Sequence, residues 1–368
     1  MKEFKEHNKL KNGIILIIVF FLGVGAMYAL VHFYPTLISK EITKVEKNVT
    51  VNDSGIADAV DKVYDSVVVV NTYVNGEAYA SGTGFVYKID GNTAYILTNN
   101  HVINNASDVY VTFTDGSIVQ TKIVGSDVYS DIAVLSVGKE NVKSVAEIGS
   151  SDDLRLGDTV FAIGAPIDNA YSWSVTRGIV SGKDRLVEVE LSSGNTKTQM
   201  VVNTLQTDAA INSGNSGGPL ANANGEVIGI TSIKLASSSI EGMGFAIPIE
   251  NALDIANELI SGKEVERPYL GVYMLDITNA YYSREYYSLV KEANVTKGVV
   301  VTEIEKKSSA ALAGLENNDI ITKVDGNEIS SSAYLRYYLY KHKVGDEMSL
   351  TIIRKNKEMT IKVKLTAK

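Results

Sequence analysis

Residues 212–220 read NSGNSGGPL, so that glycines stand on both sides of a single serine, Ser216. Glycine tolerates positive φ and lets backbone N–H groups approach a reacting atom closely. A serine hydroxyl is a weak nucleophile until a neighbouring base removes its proton. The amides of Gly214 and Ser216 can converge on the oxyanion that forms when Ser216 attacks a carbonyl. An ordinary glycine-rich loop is the alternative interpretation of this stretch.

A base and an acid for Ser216 are found earlier in the chain. His101, in TNNHVI, is the only histidine between residues 33 and 341, and Asp131 opens the apolar run SDIAVL. Each residue alone is equally well explained as an ordinary polar residue. In the nucleophile elbow of an α/β-hydrolase, the catalytic residues follow the order serine, acid, histidine. That order does not fit this chain, because the next histidine after Ser216 is His342. The order histidine, aspartate, serine is instead that of chymotrypsin.

The residues around these three segments favour a mainly β domain. Short β-prone runs separated by turn residues continue to Pro248, and no long helical period appears before Glu250–Ile260. The runs occupy 67–74, 84–89, 93–98, 108–114, 118–124, 159–164, 175–182, 199–207 and 225–233. Many short strands at this spacing indicate a barrel or a sandwich, and the span is long enough for two small barrels.

Composition removes several classes of function. The chain has 368 residues, 45% of them hydrophobic, and a net charge of -8, so it lacks the basic footprint of a nucleic-acid binder. It has no cysteine and only four histidines, which excludes disulfides and thiolate zinc sites and makes a histidine-rich metal centre improbable. We therefore expect no metal, no cofactor and no nucleic-acid partner.

Together, TNNHVI, SDIAVL and QTDAAINSGNSGGPL resemble the HtrA (high-temperature-requirement) family of trypsin-like serine proteases. FAIGAP (161–166), SVTRGIVSG (174–182), GFAIP (244–248) and RPYLGV (267–272) extend the resemblance from about residue 55 to the C-terminus. It implies a chymotrypsin-like pair of perpendicular six-stranded β-barrels over 56–262, with His101, Asp131 and Ser216 in the cleft between them. It also implies a homotrimer.

Specificity is open to prediction at a few positions. Trypsin-like sites that select basic residues carry a carboxylate six positions before the serine, where this chain has Ala210. The resemblance implies a primary pocket of Ile211, Leu235 and Met243, suited to small or medium aliphatic side chains. The polar stretch 184–199 is consistent either with a regulatory loop or with a longer hairpin.

A short linker over 263–268 precedes an α+β unit, 269–368, in which SSAALAGLENNDIITKVDGNEI (308–329) resembles a PDZ core. The segment Tyr269, Leu270, Gly271 and Val272 resembles the loop that binds a peptide carboxylate. A peptide C-terminus would then add a strand to this unit by β-augmentation. Arg267 either assists that loop or is simply solvated, and a domain that only packs on the protease is the alternative.

The first fifty-five residues predict attachment to a membrane. An apolar run over 13–34 is long enough to cross a bilayer core of ~30 Å. We expect a cytoplasmic tail over 1–12, a transmembrane signal anchor over 13–34 and a tether over 35–55. A cleaved signal peptide is the alternative.

These features predict a membrane-tethered serine endopeptidase that cleaves misfolded or signalling proteins outside the cytoplasmic membrane and is regulated by peptide binding at the PDZ unit. Two alternatives stay open. One is a chaperone-like or peptide-binding scaffold whose protease domain is idle, and the other is an esterase that uses the same serine.

Overall fold

The computed structural model describes residues 17–29, 32–33, 54–165, 172–193, 196–232 and 242–368. It forms two units, 1–52 and 53–368. In the first unit, 17–29 and 32–33 are helical. Within the described residues, no helix combines the length and the apolar character needed to span a bilayer. The rest of the expected anchor, the tail 1–12 and most of the tether lie outside the described residues.

The second unit is built mainly from β-strands. Its strands are β1 Val67–Val74, β2 Glu77–Asp90, β3 Thr93–Asn99, β4 Asp108–Thr112, β5 Ile118–Gln120, β6 Lys122–Asp127, β7 Ile132–Gly138, β8 Thr159–Gly164, β9 Ser174–Ser193, β10 Thr196–Thr207, β11 Pro219–Asn222, β12 Val227–Thr231, β13 Gly244–Pro248, β14 Val272–Asp276, β15 Val299–Ile304, β16 Ile320–Val324, β17 Asn327–Glu328, β18 Glu347–Arg354 and β19 Lys357–Lys364. Its helices are α1 Ser54–Tyr64, α2 Asn100–Ile103, α3 Ile249–Ile260, α4 Ile277–Ala280, α5 Tyr287–Ala293, α6 Ser309–Ala313 and α7 Ser332–Leu339, with a 3₁₀ turn at Lys139–Asn141.

The first sheet has seven strands in the order β5-β4-β1-β2-β3-β7-β6, rather than the six that the resemblance implies. The difference arises because the predicted run 118–124 is divided at Thr121 into β5 and β6. These two strands form opposite edges of the sheet although one residue separates them, so the edges must come together there. Counted as one bent strand, they give a barrel of six.

The second sheet is a closed barrel in the order β10-β13-β12-β11-β8-β9. Most of the polar stretch 184–199 lies within the antiparallel pair β9 and β10, whose register runs from Thr196 and Ser193 down to Thr207 and Val180. This pairing favours the longer hairpin over an irregular loop. Apolar side chains from both sheets share one buried cluster, which includes Phe85, Leu97 and Phe161.

The third sheet belongs to the C-terminal region and has the order β14-β15-β16-β18-β19, with β17 paired to β16. A separate core, with Val301, Leu335 and Leu350 among its members, packs beneath it. β14 begins at Val272, directly after Gly271, whose φ of 75° turns the chain.

Candidate active site

His101 and Asp131 are held together by adjacent strands of the first barrel. His101 lies in α2 directly after β3, and Asp131 directly precedes β7, which pairs with β3 as far as Asn99 and Ile132. The ring Nδ1 of His101 donates to Asp131 Oδ2 at 2.7 Å, and the backbone N–H of His101 donates to Oδ1 at 2.9 Å. With its proton on Nδ1, the neutral imidazole has its lone pair on Nε2, where it can act as a base.

Asp131 is fixed by its backbone as well as by its carboxylate. Its φ of 57° places it in the left-handed region, which aspartate tolerates better than most residues. Its carbonyl accepts hydrogen bonds from Asn99 Nδ2 at 2.9 Å and from the Asn100 N–H at 3.0 Å. The buried carboxylate therefore has little freedom to turn away from His101.

Ser232 is a site residue that the sequence analysis missed. It is fully buried after β12 in the second barrel, and its Oγ lies 3.3 Å from Asp131 Oδ2, to which it donates. It supplies the carboxylate with a third hydrogen bond, and this one crosses from one barrel to the other. The sequence gives no local signal for it, since the two residues are 101 positions apart.

The loop that carries Ser216 is seated against the first barrel. Its Ser216 carbonyl accepts the N–H of Thr83 at 2.9 Å, and Ser216 itself is buried. A Cβ placed on Gly217 would lie 2.2 Å from the Thr83 carbonyl oxygen and 2.3 Å from Thr98 Oγ1. Thr98 lies three positions before His101, so the serine loop contacts the strand that leads to the histidine.

The proposed oxyanion donors lie on a tight turn. The N–H of Asn215 donates to the Asn212 carbonyl at 3.0 Å, and Gly214 has φ of 99°. A positive φ at the third residue of a turn is the arrangement that glycine supports without strain. Gly214 and Ser216 thus stand on either side of Asn215, which is buried and accepts the Thr231 hydroxyl at 2.6 Å through its carbonyl.

The expected specificity residues are only partly brought together. Ile211 packs its side chain over Gly244, where an added Cβ would lie 2.6 Å from Ile211 Cγ1. Met243 is the neighbour of Gly244 in sequence but packs against the shared cluster, whereas Ile211 packs against the core of the second barrel. Leu235 lies outside the described residues. The carboxylate of Asp208 accepts the N–H of Ile179 at 2.7 Å, as befits a structural residue.

The segment 269–272 of the C-terminal region is tied back by its carbonyl groups. The Leu270 carbonyl accepts the N–H of Ala310 at 2.9 Å, and the Gly271 carbonyl accepts that of Glu305 at 3.0 Å. A Cβ on Gly271 would lie 2.2 Å from the Ser308 Cβ, so only glycine fits. A hydrogen bond from the Tyr269 hydroxyl to Glu305 raises the pKa of Tyr269 to about 12. Val272 follows as the first residue of β14.

Arg267 is neither solvated nor part of this segment. Its guanidinium pairs with Asp127 in the protease domain, and both side chains are largely buried. Both alternatives from the sequence are therefore wrong. Local sequence patterns do not show this pairing, because Asp127 lies 140 positions earlier in the chain. In the described part of the chain, no group of three or more acidic or histidine side chains is placed to hold a metal ion.

Comparison with known proteins identifies two domains in this chain. Residues 82–230 match the trypsin-like peptidase domain and residues 268–365 match the PDZ domain. The serine protease Do-like HtrA of Bacillus subtilis is 46% identical over 290 residues, which are 78% of this chain and 64% of that protein. The serine protease Do-like HtrA of Lactococcus lactis subsp. cremoris is 37% identical over 353 residues, covering 88% of this chain and 86% of that protein.

Solved structures show the same relationship. The HtrA-type protease AlgW with decapeptide superposes with a TM-score of 0.65 at 28% identity, over 85% of this chain and 98% of that one. The serine endoprotease from Yersinia pestis superposes with a TM-score of 0.62 at 30% identity, over 85% and 98%. Together with the two matching domains, these similarities show that the chain belongs to the HtrA family of trypsin-like serine proteases with a PDZ domain.

Proposed function

We propose that this chain hydrolyses peptide bonds with Ser216 as nucleophile, His101 as general base and Asp131 as the group that orients the histidine. One observation carries the proposal. His101 donates from its ring and from its backbone to the two oxygens of the buried Asp131 carboxylate, at 2.7 and 2.9 Å. A histidine with a merely structural role does not need both hydrogen bonds. The serine loop also packs against β3, the strand that leads to His101.

The mechanism follows from the residue types. Ser216 Oγ attacks the substrate carbonyl while His101 Nε2 takes its proton, and the imidazolium so formed is stabilised by Asp131. The N–H groups of Gly214 and Ser216 stabilise the oxyanion. His101 then gives its proton to the leaving amine, which departs and leaves an acyl-enzyme. A water molecule, deprotonated by His101, hydrolyses this ester and regenerates the serine.

The substrates we propose are unfolded or misfolded polypeptides and signalling proteins, cut after aliphatic residues. Ala210 offers no carboxylate to attract lysine or arginine, and Ile211, Leu235 and Met243, which the family resemblance assigns to the primary pocket, are all apolar. Peptide C-termini would bind at Tyr269, Leu270, Gly271 and Val272, beside β14, which forms an edge of its sheet. Binding there would favour the active arrangement of the protease.

We also propose that the apolar run 13–34 anchors the enzyme in the cell membrane, with residues 1–12 in the cytoplasm and the domains from 56–262 and 269–368 outside. The hydropathy of the run supports this topology. A homotrimer is proposed on family resemblance alone. Alkaline extraction of membranes tests the anchor, and release of the full chain into the soluble fraction would contradict it.

The activity is tested with a fluorophosphonate probe and an unfolded protein substrate. We expect the detergent-solubilised full chain to be labelled and to cleave the substrate after aliphatic residues, and Ser216→Ala to do neither. Mass mapping of the products tests the pocket, since cuts mainly after lysine or arginine would refute it. A folded wild-type chain that neither reacts nor cleaves would favour the peptide-binding scaffold instead.

A further inference from the structure

Thr83, in β2 of the first barrel, is completely buried and forms four hydrogen bonds, two of them to the serine loop. Its Oγ1 donates to the Gly214 carbonyl at 2.7 Å and accepts the N–H of Ala165 at 3.1 Å. Its backbone N–H donates to the Ser216 carbonyl at 2.9 Å, and its own carbonyl accepts Thr98 Oγ1 at 2.7 Å. None of the proposed catalytic steps requires this hydroxyl.

We propose that Thr83 is a positioning residue that fixes the oxyanion turn 212–215 relative to the nucleophile. The inference rests on the proposed peptidase activity. The peptide group between Gly214 and Asn215 is held at both ends: its carbonyl by Thr83 and its N–H by the Asn212 carbonyl at 3.0 Å. Fixing this plane limits how far the preceding peptide, which carries the Gly214 N–H, can rotate.

A second contact is needed because glycine imposes no conformation of its own. Gly214 has φ of 99°, and a glycine reaches other backbone conformations at little cost in energy. The hydroxyl proton of Thr83 has only one direction available. Its oxygen accepts the Ala165 N–H, and the proton therefore points at the Gly214 carbonyl. The contact is thus directional, as an element that orients the turn must be.

The position of Thr83 also couples the turn to the base. Thr98, which donates to the Thr83 carbonyl, belongs to β3, and β3 ends immediately before the helix that carries His101. The same residue therefore sets the turn, the Ser216 carbonyl and the strand next to the histidine. These bonds involve neither the His101 ring nor the Ser216 hydroxyl, so Thr83 acts through the turn.

Thr83→Val removes the hydroxyl and keeps the shape of the side chain. In the full chain we expect kcat for a peptide substrate to fall about ten- to one-hundredfold with KM unchanged, less than the ~10²–10³ that removal of an oxyanion donor costs. Thr83→Ser restores the hydroxyl and should recover kcat to within about threefold of wild type. A purely structural role would not lower kcat at an unchanged KM, and it would not predict recovery of kcat in Thr83→Ser.

Thr72→Val is the matched control. Thr72 is also a buried β-strand threonine whose Oγ1 donates to a carbonyl, that of Ala80 at 2.9 Å, and accepts the Ala80 N–H at 3.0 Å. Its bonds lie within one hairpin and do not reach the serine loop. Thr72→Val should therefore lower the thermal unfolding midpoint without lowering kcat in the folded protein.

Two results would overturn the inference. One is a kcat for folded Thr83→Val within about twofold of wild type, and the other is a rise in KM at constant kcat, which would mean lost ground-state binding. If Thr83→Val does not fold, Thr83→Cys takes its place with the same expected split, because a thiol keeps the volume and donates only weakly. A wild-type chain without hydrolysis would instead refute the proposed activity, and this inference with it.

Discussion

Arg267 in the linker and Asp127 in the protease domain form a two-pronged ion pair, with Nη1 at 2.7 Å from Oδ1 and Nη2 at 2.6 Å from Oδ2. The guanidinium carbon also lies 4.8 Å from the ring centroid of Tyr129 and 5.4 Å from that of Tyr340. Tyr340 directly follows the PDZ helix α7. The arginine therefore ties the PDZ domain to the protease domain.

Asp127 also contacts the residue that precedes Asp131. Asp127 Oδ2 accepts both the N–H of Ser130 at 2.7 Å and its hydroxyl at 2.6 Å, and Asp131 is the next residue. A planar guanidinium matches both carboxylate oxygens in a way that an ammonium group cannot. A shift of the linker would consequently move Asp127 and disturb its hydrogen bonds to Ser130, the neighbour of Asp131.

Arg267→Ala should lower the free energy of unfolding by about 3–5 kcal/mol, because it leaves the buried Asp127 carboxylate without its partner. Urea unfolding followed by the fluorescence of Trp173, the single tryptophan, measures this. Arg155→Ala is the control: its pair with Asp158, at 3.0 Å, is exposed and contributes about 0–1 kcal/mol. Equal losses in the two variants would contradict the stabilising role of the buried pair.

Asp131→Asn should leave the protein folded but lower kcat about 10⁴-fold. The amide NH2 group that replaces Oδ2 cannot accept a hydrogen bond from His101 Nδ1–H, and it donates to Nδ1 instead, which favours the wrong tautomer. Steady-state hydrolysis of a peptide checks this. Asp108→Asn, at a carboxylate that accepts hydrogen bonds from Ser107 and Gln120, should keep its activity. An Asp131→Asn enzyme as fast as the control would exclude the proposed role of Asp131.

Gly217→Ala should abolish activity and destabilise the protein by about 3 kcal/mol or more, because strain at positive φ is added to a clash with buried neighbours. Gly217 has φ of 85°, and an added Cβ would meet the Thr83 carbonyl oxygen at 2.2 Å. Gly116 has nearly the same φ, 84°, with nothing within 4 Å. Gly116→Ala should cost only about 1–2 kcal/mol. Similar losses of unfolding free energy in the two variants, measured in urea, would show that positive φ alone accounts for the destabilisation.

Tyr269 should ionise late. Its hydrogen bond to Glu305 comes first among the causes that raise its pKa from 10.0 to about 12. Because the folded-state pKa lies above the unfolded value, this contribution to stability is complete below about pH 10 and is lost as pH rises through about 12. The tyrosinate absorbance of wild type minus that of Tyr269→Phe should have its midpoint near 12. In a Glu305→Gln background the midpoint should move down, and no movement would refute the assigned cause.

Local patterns predicted many of the strands and singled out the candidate triad. The bounds of Val67–Val74 and Thr159–Gly164 match the predicted runs, because a run of buried β-branched and apolar residues between turns favours a strand. His101 was identifiable because no other histidine is near it in the sequence.

What local patterns could not supply are contacts between distant positions. The partners of Arg267, Ser232 and Thr83 lie 140, 101 and 131 positions away, and nothing in a window of sequence marks them. The break at Thr121 was missed for the same reason: one continuous run of strand residues turns a corner only because β4 and β7 offer pairing on different sides.

The meeting of β5 and β6 at Thr121 has a consequence for an enzyme whose proposed substrates are unfolded polypeptides. Extended chains add readily to an open row of backbone N–H and C=O groups, which is how sheets seed aggregation. The second sheet is a closed barrel. In the first sheet the two edge strands, β5 and β6, meet at Thr121. The PDZ sheet, in contrast, has open edges at β14 and at β19, and the proposed peptide-binding segment 269–272 leads into β14. Captured chains should thus line up along β14 and not nucleate deposits on the catalytic barrels.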